Sequence, residues 1–497
     1  MDWLSLLIFS PILGMLLLAT VHRKNESLIK AIAVSATALS MVIAVLVFVL
    51  FHQGISHAVS YQWINFGHDN IVFLLNYELG VQGFSVLLLL LTSVLTLLAA
   101  FVATFQIKKN LKPFFLWLLI MEVGMLGVFS SENLVLFFLF FEMTLVPMFF
   151  LIGRWGDRER ERTAYRFLIY NGLGSAVLLL AISALFARTG TTNIALLQEI
   201  MANEVQGSAA ISETFRNGIL WAMLIAFGIK MPIVPLHTWM VRVHVHAPPV
   251  LVIIHAGVLL KIGAYGIITF GAGIFPEQFA QISTFIAILG VINILYGALL
   301  ALGQTELKHV LAYSSVSHMG IVLLGVAALN QPGYHGAIFQ TLSHGVIAAL
   351  LFLIVGIVHS RTQSTQLKDL TGLAKAMPIA SGCWLVAGMA TLGLPGTSGF
   401  ISELLAFLGL FETEPILAGV GMVGLILTTV YVMRIILSMT HGKHTLKPPT
   451  ELRDLTHSEM APVFVLVLLI IAIGVWPSLL TSTLNLTVQT ISIGIGG

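Results

Sequence analysis

Charge is scarce in this 497-residue chain: Asp, Glu, Lys and Arg together fill 9% of positions, against 58% for hydrophobic residues. A soluble domain carries about a quarter of its residues charged, so lipid is the solvent for most of this chain's surface. Cysteine is almost absent. The lone Cys383 excludes a disulfide framework, a cysteine-held iron–sulfur cluster and a CxxC redox pair. Ten-residue segments of alternating polarity are missing too, which argues against a barrel; long apolar runs of helical length stand in their place. The first run follows Met1 and Asp2 without a basic leader or a small-residue cleavage pattern and is expected to stay as a span. No glycine-rich nucleotide motif occupies a strand–turn–helix setting, and no nucleic-acid partner is expected.

What is present is a succession of spans. Apolar runs of about twenty residues number about fourteen: near 3–20, 29–51, 82–105, 113–130, 132–152, 164–187, 217–240, 248–272, 281–303, 309–329, 334–358, 380–411, 415–439 and 461–483. Basic residues test that reading, because they should gather in alternate loops on one side. All of the 24 lysines and arginines but Arg188, Arg216, Lys230 and Lys261 fall in the odd-numbered loops, from Arg23 and Lys24 to Arg434, Lys443, Lys447 and Arg453. Both termini are therefore expected outside. The basic run Arg154 to Arg166 reads as a solvated loop that fixes topology, in preference to a docking site.

The expected fold is all-α: one transmembrane domain over residues 1–497, a polytopic membrane bundle of about 14 helices. Spans 4–8, residues 113–272, and spans 9–13, residues 281–439, form two five-helix sets. An odd number of spans makes the second set inverted relative to the first. In each set the fourth span is predicted to be discontinuous beside an ionisable residue: Lys230-Met-Pro-Ile-Val-Pro235 in span 7, and Leu394-Pro-Gly-Thr-Ser-Gly399 before Glu403 in span 12. Proline removes a backbone donor and glycine loosens the helix. Broken helices at matching positions of an inverted repeat point to an ion site.

A charge at the centre of a span costs about 2.5 to 3.5 kcal/mol on insertion scales, and Glu122, Glu142, Lys230, Lys261 and Glu403 all lie inside spans. At about 1.5 Å per residue, Glu142, Lys230, Lys261, His318, His344 and Glu403 fall near mid-depth of a core about 30 Å thick. They form a row in the membrane plane. Burial disfavours the charged form of each group and an opposite charge restores it, so Glu142 and Lys230 make a pair whose separation can switch a proton on and off. Lys261, His318 and His344 are candidate relays, and His237 could bridge the two lysines. A static ion pair, helix–helix hydrogen bonding and satisfied core histidines are the bland alternatives. His244, His246 and His255 cluster near the span 7–8 loop without an acidic or cysteine ligand, so no metal site is expected there.

Five stretches resemble the antiporter-like membrane subunits of NADH:quinone oxidoreductase, respiratory complex I: Phe140-Phe-Glu-Met-Thr-Leu-Val-Pro147, Lys230-Met-Pro-Ile-Val-Pro-Leu-His-Thr-Trp239, Leu259-Leu-Lys-Ile-Gly-Ala-Tyr-Gly266, Ala312-Tyr-Ser-Ser-Val-Ser-His-Met-Gly320 and Leu394-Pro-Gly-Thr-Ser-Gly-Phe-Ile-Ser-Glu403. Within that family the chain is most similar to the subunit M, or chain 4, type. By this resemblance Glu142 and Lys230 match the carboxylate–lysine pair, Lys261 the central lysine, His318 and His344 the relay histidines and Glu403 the exit residue. The resemblance implies a proton-translocating subunit of the bacterial plasma membrane with no cofactor of its own. NADH, FMN, iron–sulfur clusters and quinone are then expected on partner subunits, and the partners implied are the peripheral redox arm and the L-type and N-type antiporter-like membrane subunits. The alternative is a subunit of a multisubunit cation/proton antiporter, in which lysine generally stands where this chain has Glu403. One stretch departs from the family pattern: Met240-Val-Arg-Val-His244, followed by Pro248, Pro249 and His255.

Overall fold

The computed structural model describes residues 2–55, 57–68, 71–202, 211–442 and 452–494. Lys443 and Lys447, counted above among the basic loop residues, lie outside them. In chain order the helices are α1 (Trp3–Thr20), α2 (Glu26–His52), α3 (Gly83–Gln106), α4 (Leu111–Ser130), α5 (Leu134–Trp155), α6 (Arg160–Thr189), α7 (Ile194–Ala202), α8 (Glu213–Lys230), α9 (Thr238–His246), α10 (Pro249–Ile254) and α11 (Leu260–Gly266). They continue as α12 (Pro276–Gln281), α13 (Ser283–Gly303), α14 (Leu307–Ala327), α15 (Gln331–Thr362), α16 (Pro378–Thr391), α17 (Ser398–Thr413), α18 (Pro415–Thr440), α19 (His457–Val475) and α20 (Ser478–Gly494). A π-helical segment, His255–Leu259, joins α10 to α11, and a second, Ile267–Ala272, follows α11.

Among the described residues, twelve helices are long and apolar enough to cross a bilayer, the stretch Pro249–Ala272 counting as one. The bundle is thus a polytopic, helical membrane fold. Its outer face carries bare apolar side chains such as Leu180, Ile416, Ile426 and Leu468, as a lipid-facing surface should. α15 lies at the centre, its whole apolar stretch buried. Polar side chains close the helix starts: Asp2 accepts from the Ser5 amide, Asn133 from Val135 and Asn330 from Gly333, while Thr456 and Glu459 form a capping box.

The structure departs from the sequence expectation in three places. Two strands, β1 (Val59–His68) and β2 (Ile71–Leu79), pair antiparallel from Val59↔Leu79 to His68↔Ile71. A search for twenty-residue apolar runs passes over them, although their β-branched and aromatic residues flanking Asp69-Asn70 carry a hairpin signature. Glu78 on β2 anchors the pair, accepting hydrogen bonds from Asn133 and Asn193 side chains at 3.0 Å each. Burial and this neighbouring carboxylate raise the Glu132 carboxyl above its usual range. Second, the span expected over 461–483 stops at Val475, because Pro477 cannot donate to a continuing helix. Third, α20 then turns back so closely onto α3 that a Cβ on Gly83 would stand 1.9 Å from the Thr483 carbonyl.

On the basic face, Arg361 at the end of α15 binds the first turn of α19. Its guanidinium donates to Glu459 Oε1 at 3.1 Å and to the carbonyls of Arg453 and Asp454 at 2.7 and 3.3 Å. Only the planar fork of arginine reaches all three. Arg361→Ala leaves a largely buried carboxylate unpaired and should cost about 1.5 to 3 kcal/mol, read as a lower thermal unfolding midpoint in detergent. An unchanged midpoint would mean that this contact does not hold the helix ends together.

Candidate functional site

Both predicted helix breaks are present, and each sets an ionisable side chain at its edge. α8 ends at Lys230, and α9 starts at Thr238. The backbone groups freed between them find partners inside the bundle. Asn293 of α13 accepts from the Val234 amide at 2.8 Å and donates to the Pro232 carbonyl at 3.4 Å, and the Trp239 indole donates to the Ile229 carbonyl at 3.0 Å. Lys230 therefore lies at the carbonyl end of a helix, where a positive charge is favoured. It is almost fully buried, and its Nζ stands 4.8 Å from the Phe141 ring centre, a cation–π distance.

Glu142 sits one residue from Phe141 on α5 and is only half-buried, on a face it shares with exposed Leu139 and Val146. It lies within electrostatic reach of Lys230. Among the described residues no carboxylate comes within 4.0 Å of Lys230. The pair is thus an open one, not a closed ion pair.

The second half of the row is in contact. Lys261 Nζ is 2.7 Å from His344 Nδ1. The approach depends on two glycines: a Cβ on Gly345 of α15 would stand 2.8 Å from the carbonyl of Gly257 in the first π segment. The His344 and His318 rings lie side by side, centres 5.6 Å apart and tilted by 38°. His318 Nδ1 faces the Ser314 carbonyl at 2.7 Å and Nε2 the Thr391 carbonyl at 3.3 Å, an arrangement that a doubly protonated ring satisfies at both ends. Its Nε2 is also 3.8 Å from Glu403 Oε1.

Glu403 belongs to α17, just past the second break. Gly393, at φ +66°, turns the chain there, and a Cβ on it would come 2.5 Å from Glu403 Oε2. The break thus makes room for the carboxylate. A cavity of about 20 Å³ touches His344, His318, Thr391, Gln340 and Glu403, enough for a single water. On its other side Glu403 borders a groove of about 590 Å³ lined by Phe400, Leu404, Phe407 and Ile426.

His237 does not stand between the lysines. It packs edge-on against Tyr296, with ring centres 5.2 Å apart, and lies 6.4 Å from Tyr313, because the break turns it towards α13 and α14. The histidines that stand by the lysines are His244 and His255, both fully buried. Glu122 is fully buried on α4 near Ser40 of α2, outside the row. Sequence reasoning also passed over Asn293, whose signal was a lone amide in the middle of an apolar span. Arg242, within the departing stretch, pairs with Glu159 at 3.1 Å on the surface.

Comparison with known proteins follows the same line. The family described as NADH:quinone oxidoreductase/Mrp antiporter, TM, matches residues 131–430. NADH-quinone oxidoreductase subunit M of Rickettsia felis is 34% identical over 497 residues, 98% of each chain. NAD(P)H-quinone oxidoreductase chain 4 1 of a Synechococcus species is 37% identical, covering 99% of this chain and 93% of that protein. Among solved structures, a chain of respiratory complex I from Thermus thermophilus matches with a TM-score of 0.86 at 26% identity, over 99% of this chain and 100% of that one. A chain of the Mrp complex from a Dietzia species shares the fold, with a TM-score of 0.83 at 24% identity over 99% and 100% of the two chains. The chain belongs to the antiporter-like membrane subunits of NADH:quinone oxidoreductase and Mrp-type complexes, and among them to the subunit M type.

Proposed function

We propose that this chain translocates protons as a membrane subunit of a proton-pumping NADH:quinone oxidoreductase, along the buried row from Glu142 to Glu403. The observation that carries the reading is the close succession Lys261–His344–His318–Glu403: Lys261 Nζ is 2.7 Å from His344 Nδ1, the two histidine ring centres are 5.6 Å apart, and His318 Nε2 is 3.8 Å from Glu403 Oε1 at the second helix break. Four titratable groups in succession are costly in lipid unless they move a charge. Donor oxidation and quinone reduction belong to partner subunits of the peripheral redox arm, and the L-type and N-type subunits are its partners in the membrane. Glu142, partly buried on the bundle's side, is placed to respond to such a neighbour.

In this reading the twelve long helices and the two broken spans, α8/α9 and α16/α17, make fourteen crossings of the bacterial plasma membrane, with both termini outside. Residues 113–272 and 281–439 are the two inverted five-helix sets. The equivalent position of the breaks, each in the fourth span of its set, supports this. A cation/proton antiporter is the rival, and the carboxylate at Glu403 argues against it.

The open geometry at Glu142 suggests how the row is driven. When Glu142 is charged and close, Lys230 holds its proton; when the field weakens, the proton moves on towards Lys261. Glu142→Gln should therefore assemble into the complex but lose most NADH-driven acidification of inverted vesicles. Full acidification with full assembly would remove Glu142 from the mechanism.

At the far end, Glu403 takes a proton from the histidine side and releases it outward. Glu403→Gln should abolish most pumping, and Glu403→Asp should keep a substantial part. Glu403→Lys should keep intermediate activity with a displaced pH profile, since lysine's intrinsic proton affinity is about six pK units higher. Acidification measured across pH and normalised to assembled complex reads all three. Near-normal pumping by the glutamine variant would reduce Glu403 to a helix–helix hydrogen bonder.

A further inference from the structure

Between Lys230 and Lys261 the row has no direct contact, and two histidines occupy the gap. His255 is the first residue of the first π segment, and His244 lies near the end of α9. Both are wholly buried, with 0% of their surface exposed. Their rings meet edge-on, centres 5.0 Å apart at 89°. His255 is 6.4 Å from the Phe167 ring, whose centre is 6.0 Å from Lys230 Nζ, so the histidine and the first lysine flank one aromatic ring. Both lysines lie within electrostatic reach of His255, and Lys261 within that of His244.

None of the four ring nitrogens has a hydrogen-bond partner in the protein. A neutral imidazole carries one donor and one acceptor, and buried polar groups left without partners are rare. Two such rings side by side, at a π segment of the kind that recurs at functional sites, are poor packing and good proton chemistry. Leucine would fill either space without that cost.

We propose that His255 is a further relay residue, which takes the proton released by Lys230 and hands it through His244 to Lys261. The ammonium of Lys230 becomes an amine as one nitrogen of His255 gains the proton. The opposite nitrogen then releases a proton to His244, and the sequence ends with the Lys261 amine becoming an ammonium. Ring rotation or a bridging water spans each step. This inference rests on the proton-translocating reading above.

The test uses the complete complex in inverted vesicles, comparing His255→Leu, His255→Gln and Lys261→Ala for NADH-driven acidification per assembled complex. Leucine keeps the volume and removes the unpaired nitrogens, so a packing role predicts unchanged pumping, whereas a relay predicts a loss of at least about fivefold. Glutamine, which keeps a donor and an acceptor but cannot shuttle a proton between them, should lose as much and serves if the leucine variant does not assemble. Normal pumping by the His255 variants with pumping lost in Lys261→Ala would overturn this relay and leave the row intact. Normal pumping in all three would overturn the proton-translocating reading itself.

Discussion

Lipid offers no hydrogen-bond partner, and everything in this structure follows from that constraint. A bilayer core makes each unpaired backbone group cost several kcal/mol, so a helix can be broken at mid-depth only where the bundle supplies replacements. Asn293 and Trp239 do so for the break after Lys230. At the second break His318 of α14 faces the Thr391 carbonyl at 3.3 Å, and Gly393 clears the space that Glu403 fills. Each break is therefore a composite of a helix end, a partner from elsewhere in the fold and one ionisable side chain.

The same constraint divides the row into a tight half and a loose half. Lys261 and His344 satisfy one another directly, made possible by the close passage of Gly257 and Gly345, and His318 is held beside them by the Ser314 and Thr391 carbonyls. Around Lys230 the groups are held apart: Glu142 on the bundle's side, Phe141 and Phe167 between, and two unpartnered histidines beyond. A direct contact is suited to passing a proton promptly, and an open one to being adjusted.

Much of this was legible in the sequence because lipid imposes such plain rules. Apolar run length located the spans, alternation of basic loops checked them, and Pro232, Pro235 and Gly393 to Gly399 marked the breaks beside Lys230 and Glu403. What escaped had no long-range pattern to announce it. The paired strands β1 and β2 are too short and too mixed to register as a span, and Pro477 was hidden in an apolar run. His237 was expected between the lysines from its place in the chain, but the break that carries it rotates it to Tyr296. His255 is visible in the sequence, where its cluster is weighed only as a metal site and set aside, since its nearness to Phe167, Trp239 and His244 exists only after α9 folds back on the π segment.

The central claim is that the row is one continuous path, and water is what would make it so. A structure of the assembled complex at a resolution that orders internal water tests this directly. The account predicts ordered waters bridging Glu142 to Lys230, Lys230 through His255 and His244 to Lys261, and His318 to Glu403. A dry apolar gap anywhere between Lys230 and Glu403, in every state of the working complex, would contradict it.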